Sequence, residues 1–489
     1  MTAGSLVGRA APGVGPFGTG QAPGVAGPVL AAVAFGSATV AAAMVLGPVG
    51  PAVVLAVPAV AVPLLASRRD AVTLLTSMVF VLFAVPATYR LPPLGKLTVP
   101  VGLCCLAGWL VHQAARRARF DPVFQPVRAA TLVLVWVLTL SFAMMFTRVV
   151  EATEVSSAHR SLVTVVAQAG VTLLAADAIR CRTRLDSLLR RVVLGATFMA
   201  AIGGIEFLTG RNYSAVLVPP GLSLSPDVDR IDVRSGFERV AATAVHPIEF
   251  GVVLAVVLPL ALHYAIAARG WARVGAWAQV AVIGAVLPMS VSRSTAVSLA
   301  VAILTLTAIW PVRRRLNGLL ALAGSVLVLH TVFPGLIEAT VSLFLRADAD
   351  PSVTGRTEDY APVWKLFTQR PLLGRGLGTF TPHQYFYLDN QLLGSVLETG
   401  VVGTTVLLVW VAVGLSVARG ARRWAREQRD RELGQALTAS ILAGVASFLT
   451  FDALSFALLA GLLFLLIGCA GALWRMTAAP AVLAPGGQR

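Results

Sequence analysis

Apolar runs of about 17 to 26 residues recur along most of this 489-residue chain. Each is close to the roughly 20 residues a helix needs to cross a bilayer core. Hydrocarbon offers no water to backbone N–H and C=O groups, so only helices and closed barrels span it. Barrel strands alternate apolar and polar side chains, whereas these runs are continuous. The expected fold class is therefore all-α, a polytopic helical membrane protein of about 14 (12–14) transmembrane helices. Composition agrees: the chain is 57% hydrophobic with a mean hydropathy of +0.80. Its charged fraction is 13%, against roughly 25% in a soluble domain.

The runs place spans near 28–46, 49–67, 71–88, 97–115, 129–147, 161–179, 192–209, 246–268, 274–291, 294–311, 316–336, 393–418, 435–452 and 454–474. Residues 28–474 are expected to form a single membrane domain. Gly/Pro/Ala-rich tails, 1–27 and 475–489, flank it and read as disordered and cytoplasmic. The formal charge of +16 lies in short arginine clusters between apolar runs: "SRRD" (67–70), "ARRARF" (115–120), "RCRTRLDSLLRR" (180–191), "ARGWAR" (268–273), "VRRRLNG" (312–318) and "ARGARRWAREQRDRE" (418–432). With both termini cytoplasmic, every cluster falls on the cytoplasmic side, as the positive-inside rule requires. Basic tracts with interleaved aromatics, as in nucleic-acid binders, do not occur, so no nucleic-acid partner is expected. Cys104, Cys105, Cys181 and Cys469 lie in or beside apolar runs without metal-ligand spacing and read as small apolar side chains.

Two long segments fall on the opposite, outer face: 210–245 and 337–392. Loops of that length in a compact protein are usually functional or disordered. Their aromatic residues and mixed charge favour a folded, functional pair with short helices. Chemistry concentrates at four places on this face. In "RVAATAVHPIEFG", Arg239 precedes a span opening on His246, Pro247 and Glu249. That pattern suits a plain helix start, or an arginine turned toward an anion. In "SVSRSTAVSLA", Arg293 sits in a very short turn flanked by Ser290, Ser292, Ser294 and Thr295. It either snorkels to the interface or lines a polar pocket.

In "GRTEDYAPVWKLFTQRPLLGRGLGTF", Tyr360, Val363, Trp364 and Phe367 share a helical face. Such a stripe suits a helix lying on the membrane surface or packed on the bundle. Arg356 is an anion ligand or half of a salt bridge to Glu358 or Asp359. The fourth place is "QYFYLDNQLLGSVLETGVVG", 384–403. Asp389-Asn390 stand where a helix cap belongs. Glu398 is ionisable within a span, which marks a functional group or an internal ion pair.

These four places together resemble the O-antigen ligase and O-antigen polymerase superfamily. The ligase branch carries a His-Asn type pair, nine residues, then G-x-x-G. Here Asn390 precedes Gly400-Val-Val-Gly403 at that spacing, with Glu398 matching an E-x-G ending. "RPLLGRGLGTF" is similar to the family's P-x-x-G-x-G-x-x-x-F turn, "RVAATAVHP" to its R-x-x-G-x-x-x-H-P segment, and "SRS" to its outer Ser-Arg turn. Asp389 replaces the ligase histidine, His383 lies six residues upstream, and Ala242 replaces a frequent glycine.

The resemblance implies a bacterial inner-membrane glycosyltransferase that joins glycans carried on a polyprenyl diphosphate at the outer face. It implies inverting transfer without metal, cofactor or nucleotide sugar, within a polysaccharide pathway that includes a flippase and a chain-length regulator. Arg239, Arg293 and Arg356 would bind the diphosphate. Asp389 would be the general base, with His383 or Glu249 in reserve. Asn390 would orient the base or a sugar, His246 would support the site, and Glu398 would pair with an arginine. Trp364, Tyr385 and Tyr387 would stack on sugars. Polymerisation of repeat units is the leading expectation, and transfer to a lipid or protein acceptor the alternative. A lipid-linked oligosaccharide flippase would need charged spans and two related halves, which the sequence lacks. A membrane scaffold of the cell-shape type has the least support, and intact envelope polysaccharide in a null strain would be needed to revive it.

Overall fold

The computed structural model describes residues 71–91, 95–117, 124–213, 223–224, 233–234, 237–345, 359–382 and 384–477. It is an all-α bundle, and each expected span within these residues falls on a helix. In chain order they are α1 (Ala71–Ala84), α2 (Thr98–Arg117), α3 (Pro126–Met144), α4 (Ala152–Ala178), α5 (Arg182–Thr209), α6 (Pro247–Ala267) and α7 (Trp271–Val286). There follow α8 (Arg293–Thr307), α9 (Val312–Val332), the short α10 (Leu336–Leu345) and α11 (Tyr360–Phe367), then α12 (Gln391–Trp424), α13 (Gln428–Ala446) and α14 (Ala457–Thr477). The expected spans at 28–46 and 49–67, the N-terminal tail, and residues 478–489 lie outside the described residues.

Ten of these helices, some extended by a 3-10 turn, are long and apolar enough to cross a membrane. Helices α1 and α8 are apolar but shorter, and α8 packs against α6 and α13. The core is built on α14, which is buried along almost its whole length, and on the largely buried α6 and α13. Helix α9 is the converse: of its side chains only Leu329 is buried, so lipid is its natural surrounding. Polar side chains tie the buried helices across the core. Thr172 donates to the Phe464 carbonyl at 2.9 Å and Trp410 to Thr131 at 3.0 Å.

The bundle has two chemically different ends. At one end, arginines of three of the clusters are held in a mesh of ion pairs. Asp186 meets Arg182, Arg429 and the Tyr264 hydroxyl, and Arg182 also meets Asp430 at 2.6 Å. Arg314 pairs with Glu432 at 3.0 Å, and Arg128 with Asp177 at 3.3 Å. These contacts bring the clusters at 180–191, 312–318 and 418–432 together on one face. At the other end, small strands join the loops. Strand β1 (Tyr89–Leu91) pairs antiparallel with β2 (Gly95–Lys96) and β3 (Ser223–Leu224), and β4 (Val233–Arg234) pairs with β5 (Phe237–Glu238). Helices α6, α8, α12 and α14 all begin at this end, so their positive dipole ends converge there.

Candidate active site

The segment leading into α6 is pinned by a buried carboxylate. Glu206, near the end of α5, accepts from the Ala242 N–H at 2.8 Å and the Tyr213 N–H at 3.1 Å. Ala242 itself adopts φ +48°, a left-handed conformation that a Cβ disfavours. This is the place where the sequence pattern of the resemblance has glycine, and the backbone supplies the reason. Three residues earlier, the buried Arg239 donates from Nε to the Ser290 carbonyl at 3.0 Å.

Ser290 closes a 3-10 turn (Leu287–Ser290), Val291 turns left-handed at φ +40°, and Arg293 opens α8. The guanidinium of Arg239 thus lies against the turn that carries Arg293, which leans toward the Leu343 carbonyl at 3.5 Å. Gly251 on α6 allows this packing. A Cβ there would collide with the hydroxyls of Ser290 and Thr295, which bond each other at 3.1 Å. Ser290, Ser292, Ser294 and Thr295 are all buried. The first two sequence motifs therefore form one arginine-bearing corner at the N-terminus of α8.

The third and fourth motifs form a second unit. Helix α12 breaks at Gly400, where φ is +65° and ψ −169°, a conformation essentially confined to glycine. The break frees backbone groups that cost several kcal/mol each if left unpaired in a bilayer. The glycine-rich turn takes them up. Arg375 and Gly376 donate N–H groups to the carbonyls of Leu397 and Glu398, each at 3.0 Å. Val401 and Val402 donate to the carbonyls of Pro371 and Leu372 at 2.9 and 3.1 Å. Backbones approach this closely because a Cβ on Gly374 would meet the Glu398 carbonyl, and one on Gly400 the Leu372 carbonyl.

The Glu398 carboxylate accepts from the N–H of Phe380 at 3.2 Å and from the Gly378 backbone. Among the described residues its partners are thus backbone donors, not the arginine that the resemblance implied. Its work is to clamp the turn to the broken helix.

A polar chain holds the loop that follows. Arg148 pairs with Glu154 at 2.8 Å, Tyr385 donates to Glu154 at 2.6 Å, and Arg375 bonds the Tyr385 hydroxyl and lies over its ring. Tyr385 also stacks on Phe380 at 5.0 Å. Its expected role as a sugar platform is therefore occupied by protein. Tyr387 and Trp364, by contrast, are exposed. Helix α11 divides its apolar stripe: Val363 and Phe367 pack with Leu388 and Leu397, while Tyr360 and Trp364 face out.

Asp389 is exposed at the mouth of α12. Asn390 caps that helix, its Oδ1 accepting from the N–H groups of Leu392 and Leu393 at 2.9 and 3.2 Å. His246 caps α6 in the same way, its Nδ1 accepting from Ile248 at 3.1 Å. Glu249 is fully buried. One oxygen accepts from Val245 at 2.9 Å and the other from Leu458 and Leu459 at 3.0 and 3.2 Å, so it ties the starts of α6 and α14 together. Both of its oxygens are occupied by backbone donors. Arg356 and His383 lie outside the described residues.

Two groups missed in the sequence stand beside these. Lys96, on β2, donates to the Ser455 carbonyl at 2.7 Å. Burial pushes its ammonium below the usual lysine range, with Glu249 acting against that. Asp452 sits in the turn between α13 and α14. Burial, with the charge of Asp389 adding to it, pushes Asp452 up to about 6, against the Ser455 hydrogen bond and the charge of Lys96. Asp452 was legible in principle. It is an acid in a very short polar break between two apolar runs, as Arg293 is a base in another.

The site thus unites an arginine corner, a broken helix braced by a glycine turn, and a carboxylate rim at a shared end of the bundle. No curated protein matches the chain. Residues 278–408, about a quarter of the chain, match the family model described as O-antigen ligase, and they include Arg293, Asp389, Asn390, Glu398 and Gly400. That match supports the resemblance, and over this segment the chain is similar to the O-antigen ligase and O-antigen polymerase superfamily.

Proposed function

We propose that the protein transfers a glycan from a polyprenyl diphosphate to an acceptor hydroxyl at the outer face of the inner membrane, most simply to polymerise repeat units. The observation that carries this reading is the arginine corner, with Arg239 bonded to Ser290 and Arg293 three residues further on, at the N-terminus of α8. Guanidinium stays charged and matches phosphate oxygens bidentately. A helix N-terminus adds oriented N–H groups to the same anion. The lipid-facing helices offer the polyprenyl tail a hydrocarbon path to that corner.

In this mechanism the acceptor hydroxyl attacks the anomeric carbon from the face opposite the diphosphate, inverting its configuration. The C–O bond to diphosphate breaks and its electron pair leaves with the phosphate. Arg239 and Arg293 offset the charge that develops there, and Arg356 is assigned to the same task. Asp389, exposed at the rim, accepts the hydroxyl proton. Asn390 and His246 fix the ends of two helices around the site, and Tyr387 and Trp364 are the exposed aromatics open to sugar faces.

Arg239→Ala and Arg293→Ala are each expected to lower transfer by about 10²–10³-fold, the scale for losing one preorganised charge-stabilising donor. Polymer length in cells carrying each variant, with the protein still in the membrane fraction, checks this. Normal chain length in both variants overturns the reading. Polymer that is lost in a deletion strain while lipid-linked units accumulate outside separates transfer from flipping. Growth of lipid-linked polymer without its attachment marks a ligase.

A further inference from the structure

The turn between α13 and α14 is the meeting point of four elements. Its Phe451 carbonyl accepts from the Gln391 N–H at 3.1 Å, and its Leu454 N–H donates to the Gln391 side chain at 2.8 Å, fixing it to the start of α12. Lys96 reaches it from β2. Glu249 of α6 binds the first N–H groups of α14 just beyond it. A turn held from so many sides presents its one acid, Asp452, in a fixed place at the rim.

We propose that Asp452 is a second carboxylate of the proton-accepting site, so that the acceptor hydroxyl is deprotonated by a pair, the exposed Asp389 and the half-buried Asp452. This rests on the glycosyl-transfer reading above. The hydroxyl O–H bond breaks as its oxygen bonds the anomeric carbon. The proton passes to the carboxylate pair, and the C–O electrons leave with the diphosphate. The pair returns the proton to water outside, and no further reactant is needed.

Burial and the like charge of Asp389 both favour the protonated form of Asp452. The charged groups around Asp452 are Asp389 from the loop before α12, Glu398 from α12 and Lys96 from β2. Glu249 of α6 and Arg90 of β1 act on Lys96 in turn. With a pKa of about 6, Asp452 is ionised at neutral pH yet binds a proton more tightly than a solvated aspartate. A general base performs best in that range.

The test uses the full chain in nanodiscs, supplied with the lipid extract of cells that lack it, and reads initial transfer rate against pH. The wild type is expected to lose rate on acidification through about 6. Asp452→Asn should fall by about 10²-fold. The double variant with Asp389→Asn should be no slower than the slower single, because the pair acts as a unit. Asp389→Asn should keep residual rate with its acid limb moved to lower pH, since a like charge has been removed. Ser455→Ala, which keeps the carboxylate but removes a bond favouring its charged form, should stay active with the limb moved to higher pH.

Wild-type rate and pH profile in Asp452→Asn overturn the proposal. So does Ser455→Ala as inactive as Asp452→Asn, which would make the turn's shape the cause. Either result leaves the transfer reading standing if Arg239→Ala and Arg293→Ala are inactive in the same assay. Activity in both arginine variants would remove that reading first.

Discussion

Ala242 and Gly400 show how single backbone angles build this site. Both lie at positive φ, one on a residue with a Cβ and one without. Ala242 bears the strain because its N–H is the donor that Glu206 requires. Replacing it with glycine should relieve roughly 1 kcal/mol of left-handed strain, partly offset by the added freedom of the unfolded chain. A modest rise in thermal midpoint with retained transfer would show this. Gly400→Ala should act in the other direction. Strain alone costs about 1–3 kcal/mol in that conformation, and the new Cβ would strike the Leu372 carbonyl. Loss of both thermal stability and transfer is expected, and a variant as stable as wild type would contradict the account. The glycine spacing was visible in the sequence. That Gly400 and Gly374 press on one another was not, because the contact joins residues far apart in the chain.

At the scale of elements, the glycine-rich turn and the broken half of α12 stabilise each other, and α11 seals them. Val363 is buried with Leu388 and Leu397, so a charge there has no partner to offset its desolvation. Val363→Asp should unseat the loop carrying Asp389 and abolish transfer, while Trp364→Ala on the exposed face leaves the loop in place. Limited proteolysis of the 359–390 loop in membranes distinguishes them: faster cleavage is expected only for Val363→Asp. The helical stripe of α11 was readable from spacing, but its division into a buried and an exposed half was not. Spacing specifies a face, and the neighbour that covers half of it is supplied by another helix. Glu249 carries the same lesson. An acid in a first turn read as a reserve base, yet its oxygens bond the start of α14, some two hundred residues away.

For the whole molecule, the arginine clusters at one end and the candidate site at the other require a fixed orientation across the membrane. Cys181 is exposed within the basic cluster at 180–191, whereas Cys105 and Cys469 are buried. A membrane-impermeant maleimide should therefore modify Cys181 only after cells are permeabilised. A cysteine placed at the exposed Tyr387 should react in intact cells. The reverse pattern would put the site in the cytoplasm and exclude an externally presented glycan.

The sequence by itself determined the fold class, the order of the described spans and which motifs stand away from the arginine clusters. All three follow from local properties: the length of an apolar run, the solvation of backbone groups in lipid, and the placement of arginine. Tertiary structure alone decided which distant partners the polar groups meet. Glu398, Glu249, Asn390 and Tyr385 have hydrogen bonds that fix helices and turns, while Arg239 and Arg293 meet at one corner and Asp452 comes beside Asp389. A buried polar atom is committed by its nearest donor or acceptor, and in a helical bundle that partner is set by how distant spans pack.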